Sequence, residues 1–81
     1  MKIPRDLSGA DLVRALARFG YTVVRQTGSH IRLRSAQTGK EHSITLPNHD
    51  PIKLGTMNGI LGDVAQYLGI SKQELMSRLF R

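Results

Sequence analysis

The side chains best suited to acid–base chemistry on a phosphate stand close together in RQTGSHIRLR, Arg25 to Arg34. His30 follows Gly28-Ser29 and heads HIRLR, where polar and apolar residues alternate strictly. That period of two marks a strand with one buried face, sending Ile31 and Leu33 one way and His30, Arg32 and Arg34 the other. An imidazole titrates near neutral pH and can take or give a proton. The arginine fork pairs with phosphate oxygens, and Arg25 can add to the grip of Arg32 and Arg34. RNA suits this set because it carries its own nucleophile. Its 2′-hydroxyl can attack the adjacent phosphate if a base removes the proton and cations offset the developing charge. That chemistry needs no metal and no cofactor. Gly28 leaves room for the substrate backbone, and Ser29 can hydrogen-bond the imidazole or a phosphate oxygen. A histidine after Gly-Ser can equally be a turn residue without a task, and residue types alone leave both readings open.

Other candidates point more to structure. His42 alternates onto the apolar side with Ile44, which suggests a half-buried packing role. His49 lies in a two-proline loop, PNHDPIKLG, where it can cap the second helix, hold the turn or contribute to function. Phe19 and Tyr21 suit a core better than a base-stacking platform. The carboxylates Asp6, Asp11, Glu41, Asp50, Asp63 and Glu74 are scattered, and the three histidines show no metal-ligand spacing. With no cysteine, disulfides and thiolate metal sites are excluded. GTMNG, Gly55 to Gly59, lacks the lysine and the spacing of a phosphate loop.

Twelve Lys and Arg against six Asp and Glu give a net charge of +6, which favours a polyanionic partner. A chain of 81 residues is expected to form one small domain, 1–81, burying roughly 60–65% of its unfolded surface. No apolar run approaches the ~20 residues that span a bilayer. MKIPRDLSG has no apolar signal core, so a cytoplasmic location and no membrane partner are expected.

Several elements must position these residues. Ser8 and Asp11 form a capping box and Leu7 and Leu12 a staple for a first helix, with Gly20 ending it. Strands are expected over Tyr21–Arg25, His30–Arg34 and His42–Leu46. Gly28 breaks the first pair, and a two- or four-residue loop closes the second. Thr56 is the expected cap of a second helix, whose Met57, Ile60, Leu61, Val64 and Leu68 form an apolar stripe ending at Gly69. Ser71 and Glu74 form a capping box, and Ile70 and Leu75 a staple, for a short third helix. The expected class is α+β: a three-stranded antiparallel sheet with helices on one face and His30, Arg32, Arg34, Ser43 and Thr45 on the open face.

Four pieces in order resemble the HicA family of bacterial toxins, small mRNA interferases of type II toxin–antitoxin pairs. They are FGYTVVRQTGSHIRL, ITLPNH, LGTMNGILGDV and GISKQEL, spread over about residues 8 to 76. The resemblance implies a double-stranded-RNA-binding-like α-β-β-β-α fold, extended here by the short C-terminal helix. It implies metal- and ribosome-independent RNA cleavage, with His30 of Gly28-Ser29-His30 as the catalytic residue. His49 matches the family's Pro-x-His and is the candidate second catalytic group, with water as the alternative. Gly28, Ser29, Arg25, Arg32, Arg34 and Lys53 are the expected RNA contacts, and a HicB-type antitoxin covering this face is the expected protein partner. Two departures stand out: Tyr21 replaces a frequent Trp, and Leu54 replaces a Lys that often precedes Gly-Thr. A non-catalytic RNA-binding module is the alternative reading, although the start of the second helix offers only Lys53 to a duplex. A basic domain that docks an acidic protein is a third.

Overall fold

The computed structural model describes residues 6–80. Residues 1–5 of the N-terminal segment read above as lacking a signal core lie outside that range. In chain order the elements are α1 (Gly9–Leu16) with a 3-10 turn after it (Ala17–Phe19), β1 (Thr22–Thr27), β2 (His30–Ser35), β3 (His42–Pro47), α2 (Leu54–Leu68) and α3 (Lys72–Leu79). The strands form one antiparallel sheet in the order β1-β2-β3. The class is α+β, as the alternation in β2 and the two helical stripes predict. Among the described residues no helix is long and apolar enough to cross a membrane.

The helix ends follow local chemistry. Ser8 Oγ accepts from the Asp11 N–H at 3.1 Å while Asp11 accepts from the Ser8 N–H at 3.2 Å, a complete capping box. Gly20 at φ +80° and Gly69 at φ +72° end the first and second helical segments in the left-handed region. Ser71 Oγ accepts from the Glu74 N–H at 3.0 Å, but the reciprocal half of that box is not made. The Glu74 carboxylate instead accepts two bonds from Arg78, one turn further on.

Leu12 and Leu16 of α1, Leu33 and Leu46 of the sheet, Leu61 and Val64 of α2 and Leu75 of α3 are wholly buried and meet in one cluster. Area removed from water drives this packing, at roughly 1.5–3 kcal/mol for each fully buried aliphatic side chain. The inner sheet face is thereby covered over β2 and β3, while β1 stays exposed along its length and the opposite face is left open.

Two expectations fail where tertiary contacts decide. Thr56 does not cap α2; the helix starts at Leu54, with Lys53 extended before it and no side-chain cap. Ile52 explains the earlier start. Its N–H donates to the Leu7 carbonyl at 2.8 Å and its side chain is buried, so the chain is anchored and can coil at once. Residues 53–56 are exposed, leaving their N–H groups to water. The second hairpin closes with neither two nor four residues, because Ser35 and His42 are the last pair and residues 36–41 form the loop. The Tyr67 hydroxyl of α2 holds that loop, donating its one proton to the Lys40 carbonyl, lying 3.3 Å from the Ser35 carbonyl and accepting from the Thr38 N–H.

The junction nearest to the first hairpin depends on Gly9. Its N–H donates to the His49 carbonyl at 2.9 Å, and the Asn48 N–H donates to the Ser29 carbonyl at 2.6 Å. A Cβ at position 9 would sit 2.8 Å from the Pro47 carbonyl oxygen and 3.0 Å from the Asn48 Cα, both backbone atoms. Gly9→Ala is therefore expected to destabilise the fold by about 1–3 kcal/mol, as overpacking against a rigid neighbour does. Urea unfolding checks it; an unchanged midpoint would show that α1 can back away freely.

Candidate functional site

The first hairpin builds the site. Thr27 pairs with His30, so Gly28 and Ser29 alone make the turn. Gly28 has φ +56° and, among the described residues, no non-glycine residue has positive φ, the pattern of a type II′ turn with glycine first. A Cβ there would meet nothing within 4 Å, so backbone conformation rather than crowding demands this glycine. Histidine is thereby delivered to the first position of β2.

Pairing on both sides of β2 sorts the open face into three rows. Thr27, His30 and Pro47 form the first, Arg25, Arg32 and Thr45 the second, and Thr22, Arg34 and Ser43 the third. His30, Arg25, Arg32 and Arg34 are all exposed. Among the described residues none of these four side chains has a hydrogen bond or an ion pair. The ion pairs present join Arg14 to Asp11 and Arg78 to Glu74. The face is thus a cationic strip with a free imidazole at one end, open to an anionic chain.

The other expected site residues fall at different distances from this strip. His49 is exposed, two residues beyond the cross-strand neighbour of His30, in the segment whose backbone bonds Ser29 and Gly9. Ser29 contributes its carbonyl to that tie, and its hydroxyl has no partner among the described residues. Lys53 stands apart from the sheet, exposed at the start of α2. Among the described residues no three His, Asp or Glu side chains are placed to hold a metal ion.

A family model described as the HicA toxin of bacterial toxin-antitoxin matches residues 9–66, well over half of the chain. The chain belongs to the HicA toxin family. The match takes in α1, all three strands and most of α2, and so the whole open face. Toxins of this family are generally ribonucleases, and each implies an antitoxin partner and an RNA target. Neither the curated proteins nor the solved structures compared with the chain gave a match.

At the opposite end of the sheet, this HicA chain carries a second polar cluster. His42 is half-buried, as its place in the alternation predicts, with Nδ1 2.7 Å from the Tyr21 hydroxyl. Its ring stacks on Tyr67 at 4.7 Å, and Tyr21 meets both rings edge-on. Ser35, itself buried, donates its hydroxyl to the Phe19 carbonyl at 2.7 Å. Sequence reading missed Tyr67, because its helix stripe carried no sign that its hydroxyl would reach the loop after β2.

Burial, then the nearby Tyr67 and Asp63, push the Tyr21 phenol up to about 12. A raised folded value means that this contribution to stability is complete below the ordinary tyrosine value of 10 and is lost as pH rises through about 12. Of the two tyrosines, Tyr21 should therefore ionise near pH 12, and Tyr21→Phe should remove that late step from a phenolate absorbance titration. A late step that survives in Tyr21→Phe would contradict the assignment.

Proposed function

We propose that this HicA toxin is a metal- and ribosome-independent endoribonuclease, an mRNA interferase with His30 as its catalytic residue. The observation that carries the reading is the place of His30: unencumbered, at the head of an acid-free, arginine-lined open face. His30 removes the proton from a 2′-hydroxyl, whose oxygen then attacks the adjacent phosphorus. The bond to the 5′-oxygen breaks, and that oxygen takes a proton from His49 or from water. The products are a 2′,3′-cyclic phosphate and a 5′-hydroxyl. Arg32, Arg34 and Arg25 orient the RNA and neutralise its phosphates, as cations along a nucleic-acid backbone do. Gly28 and Ser29 set the turn that presents His30, and Lys53 extends the phosphate contacts beyond the sheet. A HicB-type antitoxin neutralises the toxin by covering this face.

Expression of the wild type in bacteria should arrest growth, and His30→Ala should relieve the arrest. Purified wild type should cleave RNA in EDTA, with His30→Ala at least about a hundredfold slower, as loss of a general acid–base group entails. Equal toxicity and cleavage by His30→Ala would overturn the assignment. Tight RNA binding with the RNA left intact by the wild type would favour a non-catalytic binding module instead.

A further inference from the structure

β1 contains a bulge, and the bulge changes what Arg25 can do. The register runs Thr27↔His30, Gln26↔Ile31 and Arg25↔Arg32, then slips so that Val23 faces Leu33 and Thr22 faces Arg34. Val24 is the extra residue. In a regular strand, Tyr21, Val23 and Arg25 would share one face, since side chains repeat every second residue. Tyr21 is 1% exposed, anchored in the core by packing and by His42. Were Val24 paired in a regular ladder, with no bulge, a buried Tyr21 would draw Arg25 onto the inner face. The bulge separates the two demands, a known use of bulges beside functional sites.

The result is an arginine directly opposite an arginine. Cβ atoms of such a pair lie about 5 Å apart, and like charges placed so destabilise a sheet. No carboxylate relieves Arg25 or Arg32 among the described residues, which include all six acidic side chains of the chain. Thr45, exposed on the far side of Arg32, completes the row with a hydroxyl donor. Two guanidinium groups and a hydroxyl facing one opening suit a single phosphate better than two separate ones. His30 lies two residues along β2, a step of about 7 Å, comparable to one nucleotide of an extended RNA strand.

We infer that Arg25 and Arg32 together clamp one RNA phosphate, the neighbour of the phosphate at His30, so that the substrate lies along β2 as a single strand. The inference rests on the RNA-cleaving reading and adds a positioning site to it. The clamp fixes where along the strand the 2′-hydroxyl meets the imidazole. In the free protein the same pair is a liability that phosphate removes.

Binding of a short single-stranded RNA to His30→Ala protein, measured across a salt series, tests the clamp without cleavage. Each arginine is replaced by glutamine, singly and together. One shared phosphate predicts that either single variant weakens binding but nearly keeps the salt slope, while the double variant lowers it by about 0.7. Separate phosphates predict a fall of about 0.7 for each single variant and twice that for the pair, which would overturn the clamp and leave the RNA reading standing. No RNA binding by the His30→Ala protein even at low salt would sink both. Urea unfolding of the RNA-free variants adds a readout that a purely structural role would not give. Each single substitution should raise the midpoint while it weakens RNA binding, and a lowered midpoint would count against the clamp.

Discussion

Helix α1 begins hard against the backbone of Pro47 and Asn48, an approach open to glycine at position 9 and closed to any larger residue without a shift. Three backbone bonds depend on it or flank it: Gly9 to His49, Ile52 to Leu7 and Asn48 to Ser29. Together they join the first helix, the hairpin turn and the segment that leaves β3. The helix N-terminus gains an acceptor for an N–H that would otherwise need water. The loop bearing His49 gains a fixed backbone next to the turn that presents His30. The placement of the two histidines is thus a property of packing between distant parts of the chain.

The open face shows the reverse economy. Its arginines carry no compensating acids, and the six carboxylates lie elsewhere, two of them in ion pairs on helices. Surface pairs of that kind contribute little to stability, usually under about 1 kcal/mol. What matters is their location, away from the strip, where they leave its positive potential undiluted. The apolar core supplies the stability that this concentration of charge opposes. A protein whose partner is a polyanion can carry such a strain, because the partner relieves it on binding.

How much of this was legible in the sequence depended on the range of the forces involved. Ser8 with Asp11, Ser71, Gly20 and Gly69 announce helix ends because capping is settled within a few residues. The alternation of HIRLR announces the open face because a strand has only two sides. Gly28 was legible as a break, though its positive φ gives a reason that the sequence reading did not reach. The start of α2 at Leu54 was hidden, since Ile52 is pinned by Leu7 far earlier in the chain. So was the six-residue loop, which depends on a tyrosine from another element. The bulge at Val24 escaped for a similar reason. It shows only when the burial of Tyr21 and the register set by the turn are known together.

The aromatic cluster and the histidine at the turn occupy opposite ends of the same strands. His30 pairs with Pro47 at one end of β2 and Ser35 with His42 at the other, about 17 Å away by strand rise. The two groups share covalent strands but no side-chain contact among the described residues. Substitutions that drift at the Tyr21–His42–Tyr67 end therefore alter the robustness of the scaffold while leaving the His30 end in place. A lineage under pressure to change its target RNA, or the grip of its antitoxin, can revise one end of the sheet while the other keeps the molecule folded.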